Sequence, residues 1–263
     1  MIAFTQQQLD GWLLQFLWPF VRILALVGTA PLFSESSVPV RVKVGLAFVL
    51  TVAIVPGLPA PPPIPPGSFA GLWLLAQQVL IGLAMGFTMR VVFAAVQTAG
   101  EFVGLQMGLS FASFFDPGTG ANTAVLSRLF NIVTMLVFLT LDGHLLVLAG
   151  LVHSFDTLPL ADLSLHREGW AVVAQWGQTI FVSGLLLALP LICALLTINL
   201  AMGILNRASP QLSVFAVGFP VSLITGLLLL TAVLPQSAGF LEGLIRDGLH
   251  TMGEVVARLA GLG

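Results

Sequence analysis

Three long stretches of this chain contain no charged residue, and this feature restricts its fold most strongly. They run from Val44 to Met89, from Gly169 to Asn206 and from Ala208 to Leu241. Only 8% of the residues are charged and 57% are hydrophobic, whereas soluble domains carry roughly 25% charged residues. A soluble fold would leave these segments without a polar face toward water. We therefore predict an all-α, membrane-type protein of hydrophobic, kinked helical hairpins, treated as one domain over residues 1–263.

Several other classes of protein are disfavoured. The net charge is -2, and no Lys/Arg cluster provides the basic surface that nucleic-acid binding requires. The only cysteine, Cys193, cannot form a disulfide framework or a thiolate metal site. The histidines lack metal-ligand spacing, and neither a nucleophile elbow nor a phosphate-binding loop occurs. The sequence therefore predicts no enzymatic activity, no metal and no cofactor.

Prolines divide the predicted helices. Three of them lie within helical stretches and predict kinks, namely Pro19, Pro190 and Pro220. The proline-rich residues 59–66 predict an extended spacer, because proline donates no backbone hydrogen bond. Ser68 is then expected to cap a long helix that runs from Phe69 toward Gly108.

The C-terminal half predicts a helical hairpin followed by an amphipathic helix. Residues 169–206 and 210–235 form the two arms, with Ser209 as the N-cap of the second. Residues 237–260 carry apolar side chains at helical spacing, with charged pairs on the opposite side. We expect this last helix to bind a partner or a membrane surface. Its apolar side consists of Leu241, Leu244, Ile245, Leu249, Met252, Val255, Val256 and Leu259.

Charged residues inside apolar segments are candidates for buried polar groups. The uncharged run 129–141 is shorter than the roughly 20 residues of a simple membrane span, so the charges flanking it are either buried in protein or outside lipid. Glu101 lies in an apolar setting and is a functional-site hypothesis. The alternative is a helix-end carboxylate at the surface, or one that is paired with Arg90 or Arg128. The candidates for burial are Arg22, Glu101, Arg128 and Asp142.

Glycines recur every four residues along the predicted long helix. Such spacing allows two helix backbones to approach closely. The alternative explanation is the ordinary enrichment of glycine in membrane helices. The glycines that form the predicted packing face are Gly82, Gly86, Gly100, Gly104 and Gly108.

The segment 109–122 combines aromatic side chains with turn-forming residues. Phe111, Phe114 and Phe115 would be costly to expose to water, and the backbone around Asp116 and Pro117 would be costly to expose to lipid. We therefore expect this loop to be buried in protein or to line a cavity. A re-entrant turn that only packs against its neighbours is the alternative.

Four blocks of sequence, taken together and in order, resemble the FliR family of flagellar type III export-gate proteins, whose virulence counterpart is the SctT family. The resemblance covers essentially the whole chain. The basic Arg41-x-Lys43 favours the flagellar branch. The blocks are Pro31-Leu32-Phe33-Ser34, Val38 to Ala47, Gly100 to Gly108, and Phe115-Asp116-Pro117.

The resemblance implies a single-copy subunit of an export gate, in contact with lipid in the bacterial inner membrane, at the flagellar basal body. FliP-like and FliQ-like subunits would wind with it into a right-handed helical assembly, contacted by FlhB-like and FlhA-like proteins, through which unfolded flagellar proteins pass. The loop 106–122 would be the channel plug. Its gate residues would be Met107, Phe111, Phe114, Phe115, Asp116 and Pro117.

Three alternatives remain at this point. The first is an export-gate subunit of a virulence injectisome. The second is a stand-alone transporter or channel with Glu101 or Arg22 on an ion path, which visible internal symmetry would have favoured; none is apparent. The third is a purely structural membrane scaffold, in which loss of the loop would leave export unimpaired.

Overall fold

The computed structural model describes residues 6–109, 125–160, 164–208 and 218–262. Every regular element in these ranges is helical, so the prediction of an all-α fold is confirmed. A short 3-10 turn, Val55–Gly57, follows the second helix. The helices are α1 (Gln6–Thr29), α2 (Val40–Ile54), α3 (Phe69–Gln106), α4 (Val125–Thr140), α5 (Gly143–Thr157), α6 (Arg167–Trp176), α7 (Thr179–Ala208), α8 (Phe219–Gln236) and α9 (Ala238–Leu259).

The residues pack into two compact units, each built from separate stretches of the chain. Unit 1 contains Met1–Val91, Asp142–Gly177 and Arg246–Gly263. Unit 2 contains Val92–Leu141 and Gln178–Ile245. The long helices α3 and α9 each continue from one unit into the other. Because each unit needs segments that are far apart in sequence, neither corresponds to one half of the chain.

The proline spacer is joined to α3 by a compact cap. Residues 59–65 form neither helix nor strand. The Ser68 hydroxyl donates to the Pro65 carbonyl at 2.7 Å and accepts the Gly71 backbone N–H at 3.1 Å. A side chain at Gly71 would collide with Pro65 and Pro66. This cap, expected from Ser68, explains why α3 begins at Phe69.

Two expectations about the C-terminal hairpin are wrong. The stretch 169–206 is not one helix, because α6 ends at Trp176 and α7 begins at Thr179. Pro220 does not lie in a helix interior; it lies in the first turn of α8. Pro19 and Pro190 do lie inside helices. Ser209 lies outside the described residues.

Helix α9 uses its apolar side within the chain. All but Leu249 of the predicted apolar side chains are buried. In unit 1 the Met252 methyl group closely approaches Gly150 of α5, and Leu259 lies against Gly169 of α6. The polar side carries the expected pair between Arg258 and Glu254, with 3.8 Å between Nε and Oε1. This corrects the expectation that the apolar side binds a partner or membrane, since the chain's own helices already cover it.

Five segments of the described residues are long and apolar enough to cross a membrane. The adjacent helices α4 and α5, separated by a break at Leu141 and Asp142, would add a sixth if they act as one broken span. The five segments are Gly11–Thr29, Val40–Gly57, Phe69–Gln106, Arg167–Ala208 and Phe219–Gln236.

Candidate functional site

Arg22 of α1 is fully buried and forms the centre of a polar cluster in unit 1. Its Nε donates to Gln78 Oε1 of α3 at 2.8 Å, and its Nη2 donates to the Leu158 carbonyl at 3.0 Å. Its Nη1 donates to the Ser154 carbonyl at 2.9 Å and to the Ser154 hydroxyl at 3.1 Å. The Phe155 ring centroid lies 4.3 Å from the Arg22 Cζ. The guanidinium therefore ties α1, α3 and α5 together.

The acceptors of Arg22 explain how this cation is tolerated. Ser154 belongs to the last turn of α5 and Leu158 is its C-cap, so their carbonyls lie at the negative end of the helix dipole. The Phe155 ring adds a favourable electrostatic contact with the cation. Within the described residues, every hydrogen bond that Arg22 donates is accepted by a neutral oxygen. The cluster therefore satisfies carbonyl groups at the C-terminus of α5, and its geometry is that of a structural contact between helices.

The first two glycines of the predicted packing face lie against α1. A Cβ at Gly82 would collide with the Arg22 carbonyl and the Ala25 side chain. A Cβ at Gly86 would collide with Thr29 and Ala30. Since α1 and α3 run side by side at backbone distance, these two positions hold the helix that carries Arg22 against the helix that carries Gln78.

Gly100 holds the other half of α3 against α4 in unit 2. A Cβ at Gly100 would lie 2.5 Å from the Ser127 Cα. The Ser127 hydroxyl donates to the Gln97 carbonyl at 2.8 Å, and Gln97 Nε2 donates to Asn131 Oδ1 at 2.9 Å. Residue 97 lies beside 127 and 131, and residue 100 beside 127, so the two helices cross tightly and run antiparallel.

Gly104 differs from the other glycines. It is buried, yet a Cβ built there would meet no atom of the described residues within 4 Å. Gly108 has a φ of 77°, a left-handed conformation that favours glycine. It ends α3, because the Leu109 N–H donates to the Gly104 carbonyl at 3.0 Å and the Gly108 N–H donates to the Leu105 carbonyl at 3.1 Å. A packing role for these two glycines stays a prediction.

Met107 anchors the end of α3 to α8 within unit 2. Its side chain is fully buried. A Cβ at Gly226 of α8 would lie 2.6 Å from the Met107 Cγ and 2.7 Å from its Sδ. The absence of a side chain at Gly226 thus leaves a notch that the thioether fills. The chain turns away from α3 directly after this anchor, at Gly108.

The other predicted gate residues lie outside the described residues. They are Phe111, Phe114, Phe115, Asp116 and Pro117.

Among the candidate buried polar groups, Glu101, Arg128 and Asp142 are exposed in the single chain. Asp142 adopts a left-handed φ of 52° at the start of α5. Burial of these three side chains would require the surface of another molecule, and it stays a prediction.

Sequence reasoning missed the partners of the predicted residues. Ser154 and Leu158 contribute carbonyl groups, which every residue type possesses, so no sequence signal marks them. Gln78 did offer a signal, because Gln77-Gln78 is the only polar pair in the apolar first half of α3. Gly226 did not stand out, since its importance depends on Met107, which is distant in sequence.

The chain is similar to one protein family and to several flagellar proteins. The family model for bacterial export proteins, family 1, matches residues 13–248. A flagellar biosynthetic protein FliR from Escherichia coli (strain K12) is 48% identical over 259 residues, covering 98% of this chain and 99% of that protein. The FliR of Pectobacterium carotovorum is 46% identical over 99% of both chains. The FliR of Bacillus subtilis is 33% identical, over 82% of this chain and 84% of its own length.

Proposed function

Since the chain belongs to the FliR family of bacterial export proteins, we propose that it is a structural and gating subunit of the flagellar type III protein export gate. The resemblance seen in the sequence is confirmed, and the protein is a membrane-associated component of the flagellar export apparatus. We further propose that it forms part of the channel through which unfolded flagellar proteins cross the inner membrane.

The observation that carries this proposal is the uncovered apolar surface of several helices. Only 11% of the segment Val40–Gly57 and 17% of Phe219–Gln236 are buried within the chain, whereas an 18-residue stretch of α3 is 67% buried. Apolar surface of this extent requires lipid or other proteins to cover it. Exposed charges at Glu101 and Arg128 on the helices of unit 2 are costly against hydrocarbon. Protein neighbours of the FliP-like and FliQ-like kind, with FlhA-like and FlhB-like proteins, would cover the apolar surface and keep these charges away from lipid.

The gating part of the proposal concerns the loop 106–122. Met107 and Gly108 define the point at which this loop leaves α3, since the first is held against α8 and the second ends the helix. A cluster of aromatic side chains can block ion flow by dewetting a constriction. Phe111, Phe114 and Phe115 supply such a cluster directly after this anchored point.

The names of the relatives, and whether the chain needs partners in order to be stable and active, distinguish the export-gate subunit from its alternatives. The relatives reported above are named as flagellar proteins, which favours the flagellar branch over the injectisome. A stand-alone transporter or channel would be stable by itself and would conduct without partners. A gate subunit would need partners to cover α2 and α8.

The test is native mass spectrometry of the chain expressed alone and together with FliP-like and FliQ-like subunits. We expect the chain alone to be heterogeneous in detergent and to become monodisperse within a defined complex, because binding stabilises only the folded, assembled form. Restoration of motility in a bacterium lacking its own FliR provides the functional measurement. A thermally stable, monodisperse lone chain that conducts ions would refute the proposal and favour the stand-alone channel.

A further inference from the structure

A row of polar side chains follows the crossing of α3 and α4 in unit 2. We call Gln97, Glu101, Arg128 and Asn131 the polar seam. At one end Gly100 lies against Ser127, and Glu101 and Arg128 directly follow these two residues in the chain. At the other end a 2.9 Å hydrogen bond joins Gln97 to Asn131. Gln97, Glu101 and Arg128 are exposed, and Asn131 is half-buried. The described residues offer no ion pair to Glu101 or Arg128.

Helix α7 of the same unit has a different surface. Its exposed side is apolar over most of its length and carries no charge before Arg207. The large exposed side chains are Phe181, Val182, Leu185, Leu186, Leu189, Leu196, Leu200, Ile204 and Leu205. The exposed surface of α7 is therefore suited to contact with hydrocarbon or apolar protein. The polar seam is suited to neither.

The physical chemistry of the polar seam restricts what can lie against it. In hydrocarbon, the carboxylate of Glu101 and the guanidinium of Arg128 would both be strongly unfavourable. A fixed protein neighbour would have to supply a matching charge to each of them. Water satisfies both charges without any matched partner, as well as the remaining donors and acceptors of the two amides.

We propose that the polar seam is part of the wall of the aqueous path, and that its occupant is the exported polypeptide in extended form. This inference rests on the proposed function. The exported chains vary in sequence, so the wall of the path must not bind their charged segments of either sign, nor their apolar segments. The seam combines one anion, one cation and two amides that are already bonded to each other. If the apolar surface of α7 lined the path, it would bind the hydrophobic segments of an unfolded chain and retain them.

The first test uses a photo-crosslinking amino acid at position 101 or 128 in the assembled complex. A flagellar export substrate fused to a stably folded domain is arrested during passage, and the complex is then irradiated. We expect crosslinks to the substrate from both positions and not from position 189 on α7, the matched control. Crosslinks from 101 and 128 to another gate subunit instead of substrate would overturn the inference.

The second test measures contact with water and uses the native Cys193 as an internal control. Cys193 is exposed on α7 in the single chain, among the apolar side chains. In the assembled complex, we expect Glu101→Cys to react with a charged, membrane-impermeant maleimide about tenfold faster than Cys193, because a charged reagent stays in water and does not enter an apolar surface. Equal or slower labelling at position 101 would overturn the inference.

These outcomes are separable from failure of the proposed function. If the complex assembles and supports motility but the crosslinks reach only a neighbouring subunit, the export-gate function stands and the inference about the polar seam is wrong. If no complex forms with the FliP-like and FliQ-like subunits, the proposed function itself is refuted. Wild-type assembly and motility are therefore measured first.

Discussion

Replacing Arg22 by methionine tests whether the buried cluster in unit 1 stabilises the fold. The substitution keeps a long apolar side chain but removes all the donors. The Ser154 carbonyl keeps the Leu158 N–H at 3.0 Å, and the Ser154 hydroxyl keeps the Leu151 carbonyl at 2.6 Å. Two acceptors therefore lose their partner, the Leu158 carbonyl and Gln78 Oε1. Each buried unsatisfied acceptor costs about 1–3 kcal/mol, so we expect Arg22→Met to cost about 3 kcal/mol, after allowing for the guanidinium no longer being desolvated.

The measurement is thermal unfolding of the purified complex, followed by loss of the monodisperse peak in size-exclusion chromatography. A cost of about 3 kcal/mol corresponds to a midpoint roughly 6–12 °C lower for a chain of this size. Arg90→Met, at an exposed position of α3, is the matched control. Arg22→Lys keeps the charge without the planar fork, so it should recover less than half of the loss. A midpoint for Arg22→Met within 2 °C of the control, a margin well below the estimated shift, would refute the reasoning.

Three further predictions concern unit 2 and the loop. Gly100→Leu should destabilise the chain itself by overpacking against Ser127, whereas Gly104→Leu should leave the fold intact and block assembly. The two variants are compared by thermal unfolding and by the yield of complex. A normal yield of complex with Leu at 104 would show that this face of α3 contacts no other subunit. Gly226→Val should displace the Met107 side chain and increase proteolysis at the end of α3, and unchanged digestion would contradict the anchor. Removal of residues 110–116, or replacement of its three phenylalanines by alanine, should raise ion flux through complexes in liposomes while assembly is retained; unchanged flux in an assembled variant would leave the loop as packing.

The sequence predicted those features that depend on local chemistry. The serine after the proline spacer was expected to cap α3, and it does. An extended form of the spacer 59–66 itself stays a prediction, since the Ile64 N–H donates to the Pro62 carbonyl at 2.8 Å within it. Burial of Arg22 followed from an ionisable group within an apolar helix. The close approach of Gly82, Gly86 and Gly100 to neighbouring helices was expected from their spacing, although the spacing alone named neither α1 nor α4 as the partner.

The remaining features depend on contacts between distant parts of the chain. Helix α9 was expected to bind a partner or a membrane surface, because an amphipathic pattern shows that one face is covered but does not show what covers it. The break between α6 and α7 lies at Gly177-Gln178, and its charge-free surroundings resemble a continuous helix. The role of Leu158 was hidden for another reason, since its carbonyl acts and its side chain does not.

The polar pairs inside the two units explain how such an apolar chain keeps a defined fold. When lipid or an apolar subunit surrounds a helix, hydrophobic burial provides little force between neighbouring helices, and packing with interhelical hydrogen bonds takes its place. In unit 2, the Ser222 hydroxyl of α8 donates to Asn199 Oδ1 of α7 at 2.8 Å, and Gln97 donates to Asn131 between α3 and α4. In unit 1, Arg22 has the same role for three helices. Because these bonds do not use the outer apolar faces, those faces remain available to other subunits without loss of the helix pairs that present them.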